Sequence, residues 1–389
     1  MIRIAHVITD LRMGGAQIML VKLLSAMDGG AFEHVVVSLS DRGVLSEAIE
    51  RVRVRVYPLG MRRGIPGPFA IGRLASVLRR VRPDLVQGWM YHGNLAATAG
   101  ARIALPVSVP VLWNIRHSLH ELDKERWLTR QVIALGARLS RSPMVTLYNS
   151  HVSLEQHRDF GYRTADQQVI PNGFDLDRFK PDGAIRAQMR AALAIADDEI
   201  VIGNIARFHP TKDHATLLRA AAIARAEHPR LRLVLAGAEV CGTNQQLTRL
   251  IGELGLGNSL ILLGPQDDIP ALMQVMDIYA SSSLAEAFPN VLGEAMACGI
   301  PCAATDVGDS AQIVADTGLT VAPEDPSALA QAWIRLIDMG ARGRTELGES
   351  ARRRVQEHFS LEAIARQYGD LYVSAALGTP SSMETEGAN

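Results

Sequence analysis

With 389 residues, 48% of them hydrophobic and 21% charged, the chain exceeds one ordinary core and reads as two soluble domains. No run approaches the roughly 18 consecutive apolar residues of a membrane span, and Arg3 and His6 interrupt the first apolar stretch with no cleavage site after it, which argues against a secretory leader. The formal charge of −1 conceals a basic first half, with 22 Lys and Arg against 13 Asp and Glu up to Ile170, and an acidic remainder with 18 against 28.

A strand is predicted over residues 2–8, followed by the loop TDLRMGGAQ and a helix over 17–27. Gly14 and Gly15 in that loop let the backbone approach a ligand beside a helix N-terminus. Strands over 34–39 and 53–57 and a helix over 69–81 follow. Arg51, Arg53, Arg55, Arg62, Arg63, Arg73, Arg79, Arg80 and Arg82 concentrate the positive charge there. They form either a solvated surface or an attraction to an anionic membrane face, where each basic group near the lipid is worth about 1 kcal/mol. No nucleic acid partner is expected. The strand over 85–88 leads to Trp89, Tyr91, His92 and Asn94 ahead of a helix over 95–103. The strand over 109–115 delivers Asn114, Arg116 and His117. A helix over 126–139 and a strand over 145–148 close this run. The segment IPNGFDLDRFKP, residues 170–181, then breaks the alternation as a turn-rich connector. Its Asp175 and Asp177 match a D-x-D metal motif only superficially and read as turn-forming residues, so no metal is expected.

Alternation restarts with strands over 200–205, 231–236, 260–263, 278–281 and 302–305, and helical patterns over 215–227, 245–254, 269–275 and 291–297. Two α/β runs joined by one connector imply two doubly wound, Rossmann-like domains with ligands beyond the carboxyl ends of the strands. The expected boundaries are 1–170, a connector at 171–182, 183–359, a final helix within 360–378 that crosses back to the first domain, and a disordered tail from 379. The dinucleotide fingerprint G-x-G-x-x-G is absent. In IGNIARFHPTKD, Arg207 follows a strand and Lys212 starts the next helix, a pair of cations suited to a diphosphate without a metal. His209 and His214 read as surface residues. The richest stretch is SSSLAEAFPNVLGEAMACGIPCAATDVG, residues 281–308. Glu286 sits in its loop and Pro289 at the helix entry. The N–H groups of Asn290, Val291 and Leu292 are expected to point outward toward a phosphate or sugar oxygen. Glu294 follows one turn inside. Cys298 and Cys302 read as packed thiols, and with Cys241 they show neither disulfide nor zinc spacing, which points to reducing cytosol.

The E-x7-E from Glu286 to Glu294, embedded in EAFPNVLGEAMACGIP, resembles the signature of the retaining glycosyltransferases of family 4, with the GT-B fold of two Rossmann-like domains facing across a cleft. The likeness extends over residues 2–372 and includes an R-x4-K element at Arg207 and Lys212. It implies that Glu294 binds the ribose hydroxyls of the donor nucleotide and that Glu286 lies near the reacting carbon of the donor sugar, as nucleophile or as electrostatic stabiliser. Arg207 and Lys212 would hold the diphosphate. The Gly14–Gly15 loop would lie against donor phosphate and acceptor. Backbone near Pro265 and Gln266 would meet the base. The resemblance also implies a histidine at the end of the second wall strand that touches the donor sugar; Arg116 or His117 takes that place, and His92 is a further contact to sugar or acceptor. Gln17 and Gln312 stand where relatives commonly carry Glu.

The implied activity is transfer of a hexose-type sugar from a UDP or GDP sugar, without a metal cofactor, to a glycan or lipid-linked acceptor of cell-surface glycan synthesis. The place would be the cytoplasm, at the inner membrane face. Two other readings share the fold, a sugar-nucleotide epimerase and a non-catalytic sugar-nucleotide-binding subunit.

Overall fold

The computed structural model describes residues 1–27, 30–61, 68–120 and 122–378. They form two compact units, one running from Met1 to Gly173 and taking up the chain again from Leu361, and one of Phe174–Ser360.

The first unit is built on parallel strands β1 (Ile2–Ile8), β2 (Phe32–Ser38), β3 (Arg55–Pro58), β4 (Leu85–Trp89), β5 (Val111–Ile115), β6 (Val145–Tyr148) and β7 (Asp166–Val169), in the order β3-β2-β1-β4-β5-β6-β7. Central strands such as β1 read as nearly continuous apolar runs because helices cover both faces of the sheet. Leu20, Leu23 and Leu24 of the helix Gly15–Ala26 pack on one face with Ile364, Tyr368 and Tyr372 of the helix Leu361–Leu377. Leu74 and Leu78 of Pro68–Val81 pack on the other with Ala97 and Ala101 of Met90–Ala104. The winding direction reverses between β1 and β4, which pair with Ile8 opposite Trp89. That reversal opens a crevice at the carboxyl ends of these two strands.

The second unit repeats the plan with β8 (Ile200–Ile205), β9 (Leu231–Ala236), β10 (Leu260–Leu262), β11 (Ile278–Ser281), β12 (Cys302–Thr305) and β13 (Gly318–Val321), ordered β10-β9-β8-β11-β12-β13. Its reversal lies between β8 and β11.

Several elements depart from expectation. The strand at 53–57 starts at Arg55 because Arg53 is left-handed, with φ of 60°. The helix expected from residue 95 begins at Met90, directly after β4, through another left-handed residue, Met90 at φ of 61°. β7, of sequence DQQV, and β13 are edge strands without a strong apolar signal, and neither was expected. The helices His151–Phe160, Pro326–Asp338 and Gly340–Arg354 were likewise unmarked. Among the described residues no helix is long and apolar enough to cross a membrane. Arg62, Arg63 and the tail from residue 379 lie outside the described residues.

Candidate functional site

In the second unit the carboxyl ends of β8 and β11 are neighbours, so the loop with Arg207 and Lys212 emerges beside the loop with Glu286. Gly237 fixes the first of these. A Cβ there would sit 2.1 Å from the Ala206 carbonyl oxygen and 2.9 Å from the Arg207 nitrogen, at φ of +144°, so only glycine lets the loop after β9 press against the backbone of exposed Arg207. The Gly237 N–H donates to the Gly264 carbonyl (2.8 Å), which brings the exposed Pro265–Gln266 turn alongside.

Lys212 ends a short 3-10 turn, Pro210–Lys212, rather than starting the α-helix. The helix begins at His214, capped by the Asp213 carboxylate, which accepts from the Thr216 N–H at 3.1 Å. The serines after β11 then fasten this segment. Ser282 Oγ donates to the carbonyls of Lys212 (2.9 Å) and Asp213 (3.0 Å), and the Leu284 N–H donates to the Thr211 carbonyl (2.7 Å). The Lys212 ammonium pairs with the Glu286 carboxylate, and Ser283 Oγ donates to the same carboxylate oxygen at 2.7 Å. Both partners of the ion pair are largely buried, so salt and solvent screen it less than a surface contact. Gly308, at φ of +57°, is a second obligatory glycine. A Cβ would lie 2.6 Å from the Glu286 carbonyl oxygen and 2.7 Å from that of Ala287, so the loop after β12 backs directly onto the Glu286 turn.

Glu294 stands in the helix Asn290–Ala297, which Pro289 precedes as cap. Its charge and that of Glu286 reach one buried neighbour, the Tyr279 phenol on β11. Burial first, then the charges of Cys302, Glu286 and Glu294, push that phenol well above its ordinary range. The expected row of outward N–H groups is shorter than predicted. The Leu292 N–H donates to the Pro289 carbonyl at 3.2 Å, because the helix opens with a tight i+3 turn. His209 is half-buried, its ring accepting from the Thr211 N–H. His214 corrects the surface expectation: it is 3% exposed, lies against Phe208, and burial lowers its pKa to about 4. Gln312 is exposed on the helix Ser310–Val314. Asp175 is a turn residue, accepting from the N–H groups of Asp177 (3.1 Å) and Arg178 (3.0 Å). Among the described residues no group of His, Cys, Asp and Glu is arranged to hold a metal. Cys241, Cys298 and Cys302 are free thiols.

In the first unit Gly14 caps the helix Gly15–Ala26 in extended conformation, and a Cβ on Gly15 would meet nothing within 4 Å, leaving open space beside the helix start. Gln17 donates to Asp10 Oδ1 at 3.2 Å. The left-handed turn at Met90 swings Tyr91 inward and leaves His92 half-buried, with its pKa lowered by burial. Asn94 ties this helix to β5, its Oδ1 accepting from the Asn114 N–H at 3.2 Å. Arg116 and His117 take different tasks. The Arg116 guanidinium binds Asn172 and donates to the Tyr368 hydroxyl at 2.8 Å while lying over Trp89, so it is committed to the structure of its own unit. The His117 ring instead faces Tyr91 OH (3.5 Å) and the Glu125 carboxylate (3.6 Å). Burial lowers its pKa, and Glu125 partly offsets that. Behind Tyr91 stands His157, whose only sequence signal is its spacing from Ser153 on one helix face.

Among the described arginines of the 51–82 stretch, Arg55 and Arg80 meet at Tyr57, and Arg73 and Arg80 border one hollow. Arg51 pairs with Glu47, Arg73 donates to the Leu59 carbonyl, Arg79 to the Ile103 carbonyl, and Arg80 lies over Tyr57.

The chain matches the family model for glycosyl transferases group 1 over residues 185–354 and that for glycosyltransferase family 4 over residues 13–178. It is 28% identical to the Bacillus subtilis (strain 168) protein EpsF, named as a glycosyltransferase, over 82% of each chain. It is 30% identical to the N-acetyl-alpha-D-glucosaminyl L-malate synthase of Bacillus anthracis over 60% of each. Among solved structures, Anabaena Alr3699/HepE in complex with UDP superposes with a TM-score of 0.82 at 21% identity, covering 96% of this chain and all of that one. Two family matches, one on each unit, and two sheets wound in the same order place the chain in glycosyltransferase family 4, as a glycosyltransferase of GT-B fold.

Proposed function

We propose that this glycosyltransferase moves a hexose-type sugar from a UDP or GDP sugar, with retention of anomeric configuration and without a metal, onto a glycan or lipid-linked acceptor at the cytoplasmic face of the membrane. The observation that carries the proposal is the meeting of Lys212, Glu286 and Ser283 at the reversal point between β8 and β11, where an open α/β sheet binds its ligand. The solved structures of HepE with UDP and with UDP-glucose support the donor class.

In this reading the donor diphosphate takes Lys212 and Arg207, whose positive charge stabilises the leaving group as the glycosidic bond breaks. Glu286, released from Lys212 but still held by Ser283, faces the sugar and stabilises the developing oxocarbenium character. Glu294 holds the ribose and the Pro265 turn lies beside the base. Asn290 and Val291 open the helix toward the phosphate, and Gly14 and Gly15 leave room for backbone approach. His117 and His92 contact a hydroxyl of sugar or acceptor. The leaving phosphate helps to take the acceptor proton in a front-face displacement.

The membrane reading draws support from the helix Trp127–Leu139. Trp127 is 71% exposed, Leu135 and Leu139 are also exposed, and Arg126, Arg130 and Arg138 share the solvent side.

Transfer from labelled UDP-glucose to candidate lipid-linked acceptors, with the product anomer read by NMR, tests the reading. Glu286→Ala is expected to lower kcat on the order of a hundredfold or more while UDP binding persists. Unchanged turnover removes Glu286 from the reaction, and an inverted product refutes retention. Formation of an epimer from the donor alone would favour the epimerase alternative.

A further inference from the structure

We infer that Tyr91 and His157 are positioning residues that fix the tautomer of His117, so that His117 offers the Nε2 lone pair to a hydroxyl of the bound sugar or acceptor. The inference rests on the proposed reading that His117 touches substrate, and it adds the direction of that contact and the residues that set it.

The chain of contacts begins at its buried end. His157 Nδ1 lies 2.6 Å from the Ser153 carbonyl oxygen. A carbonyl only accepts, so Nδ1 carries a proton. The ring is fully buried among Tyr91, Tyr148 and Tyr162, and burial holds its pKa at about 4, so it is neutral near pH 7 and its Nε2 is bare. That bare nitrogen lies 2.9 Å from Tyr91 OH. Tyr91 is itself buried, which keeps the phenol protonated. Its single proton goes to the nearer, buried acceptor, since His157 Nε2 would otherwise be left unsatisfied away from water.

The Tyr91 oxygen then turns lone pairs toward His117 Nδ1, 3.5 Å away. Two lone pairs cannot face each other favourably, so His117 holds its proton on Nδ1 and leaves Nε2 bare. The main chain is fixed by the same helix: Ser153 Oγ donates to the His117 carbonyl at 2.6 Å, and Gln156 Oε1 accepts from the Leu119 N–H at 2.7 Å. Glu125, 3.6 Å from Nε2, favours the opposite tautomer. It is about one-third exposed and can turn to water, whereas the Tyr91–His157 pair cannot. The buried pair decides the tautomer.

The test is long-range nitrogen–proton NMR on the full chain with labelled histidine, His117 being assigned by difference from His117→Gln. The expected result is an Nδ1–H tautomer at His117 that becomes mixed in Tyr91→Phe. In kinetics, Tyr91→Phe and His157→Leu should lower kcat roughly tenfold with donor KM unchanged. His157→Gln should restore most of the loss, because its amide oxygen accepts from Tyr91 while its NH2 donates to Ser153. UDP affinity and thermal melts establish that each variant is folded, and Tyr91→Phe decides the matter should His157→Leu not fold. An Nε2–H tautomer in the wild type overturns the inference, as does a Tyr91→Phe variant with unchanged tautomer and kcat. Full transfer by His117→Ala would remove His117 from the proposed reaction while leaving the tautomer measurement to stand by itself.

Discussion

At the scale of single residues, the Lys212–Glu286 pair makes nucleotide binding a competition. A diphosphate must draw the ammonium away from a carboxylate that Ser283 also holds. Glu286→Gln is therefore expected to bind UDP several-fold more tightly than the wild type by calorimetry, although transfer falls. Lys212→Ala should bind it tenfold or more weakly, the worth of a hydrogen bond to a charged group being about 1.5–3 kcal/mol. Equal affinity in all three proteins would dismiss Lys212 as a phosphate ligand. Lys212 and Glu286, which the structure brings into contact, were legible because each stands at a countable distance from a strand end or helix start. Ser283 and His157 were not: a serine in a serine run carries no pattern, a histidine on an unmarked helix carries only its spacing from Ser153, and the contacts of both arise from what folding places beside them. His214 misled for a related reason. A polar residue next to a helix cap resembles a solvated one until Phe208 closes over it.

At the scale of elements, the two sheets were readable because apolar runs alternated with helical periods, while edge strands β7 and β13 lacked that contrast. The early start of the helix Met90–Ala104 was hidden because nothing in a methionine announces positive φ, which bulky residues adopt only under tertiary constraint. That constraint is visible: a Cβ on Gly93 would lie 2.5 Å from the Val7 carbonyl oxygen, so the first turn is pressed onto β1. In the proposed membrane reading, the helix Trp127–Leu139 is the element that faces lipid. On its solvent side, Arg126 and Arg130 border Trp127 on one flank and Leu135 and Leu139 on the other, at 100° per residue. Changing Arg126, Arg130 and Arg138 together to Gln should weaken binding to phosphatidylglycerol-containing vesicles about a hundredfold at low salt, with less effect at high salt. Trp127→Ala should weaken it at any salt. Cosedimentation insensitive to both changes would exclude this helix as the lipid contact.

For the whole molecule, buried histidines set its tolerance of acid. His34 and His157 in the first unit and His214 in the second are each lowered to a pKa of about 4, chiefly by burial. Above about pH 6.5 they are neutral in both folded and unfolded chains. As pH falls from there toward 4, the unfolded chain takes up protons that the folded one refuses, so stability drops by up to about 1.4 kcal/mol per pH unit for each histidine. Urea midpoints should therefore fall steadily between pH 7 and 5, and a flat profile would contradict the assignment.

The order of the chain has a further outcome. Residues 174–360 form their own unit, and the helix Leu361–Leu377 belongs to the core of the first unit. During translation the ribosome must make the entire second unit before the first receives Ile364, Tyr368 and Tyr372. Until then one face of the nascent sheet is only partly covered, by the helix Gly15–Ala26, a natural client for chaperones, while the later-made unit can reach its native state first.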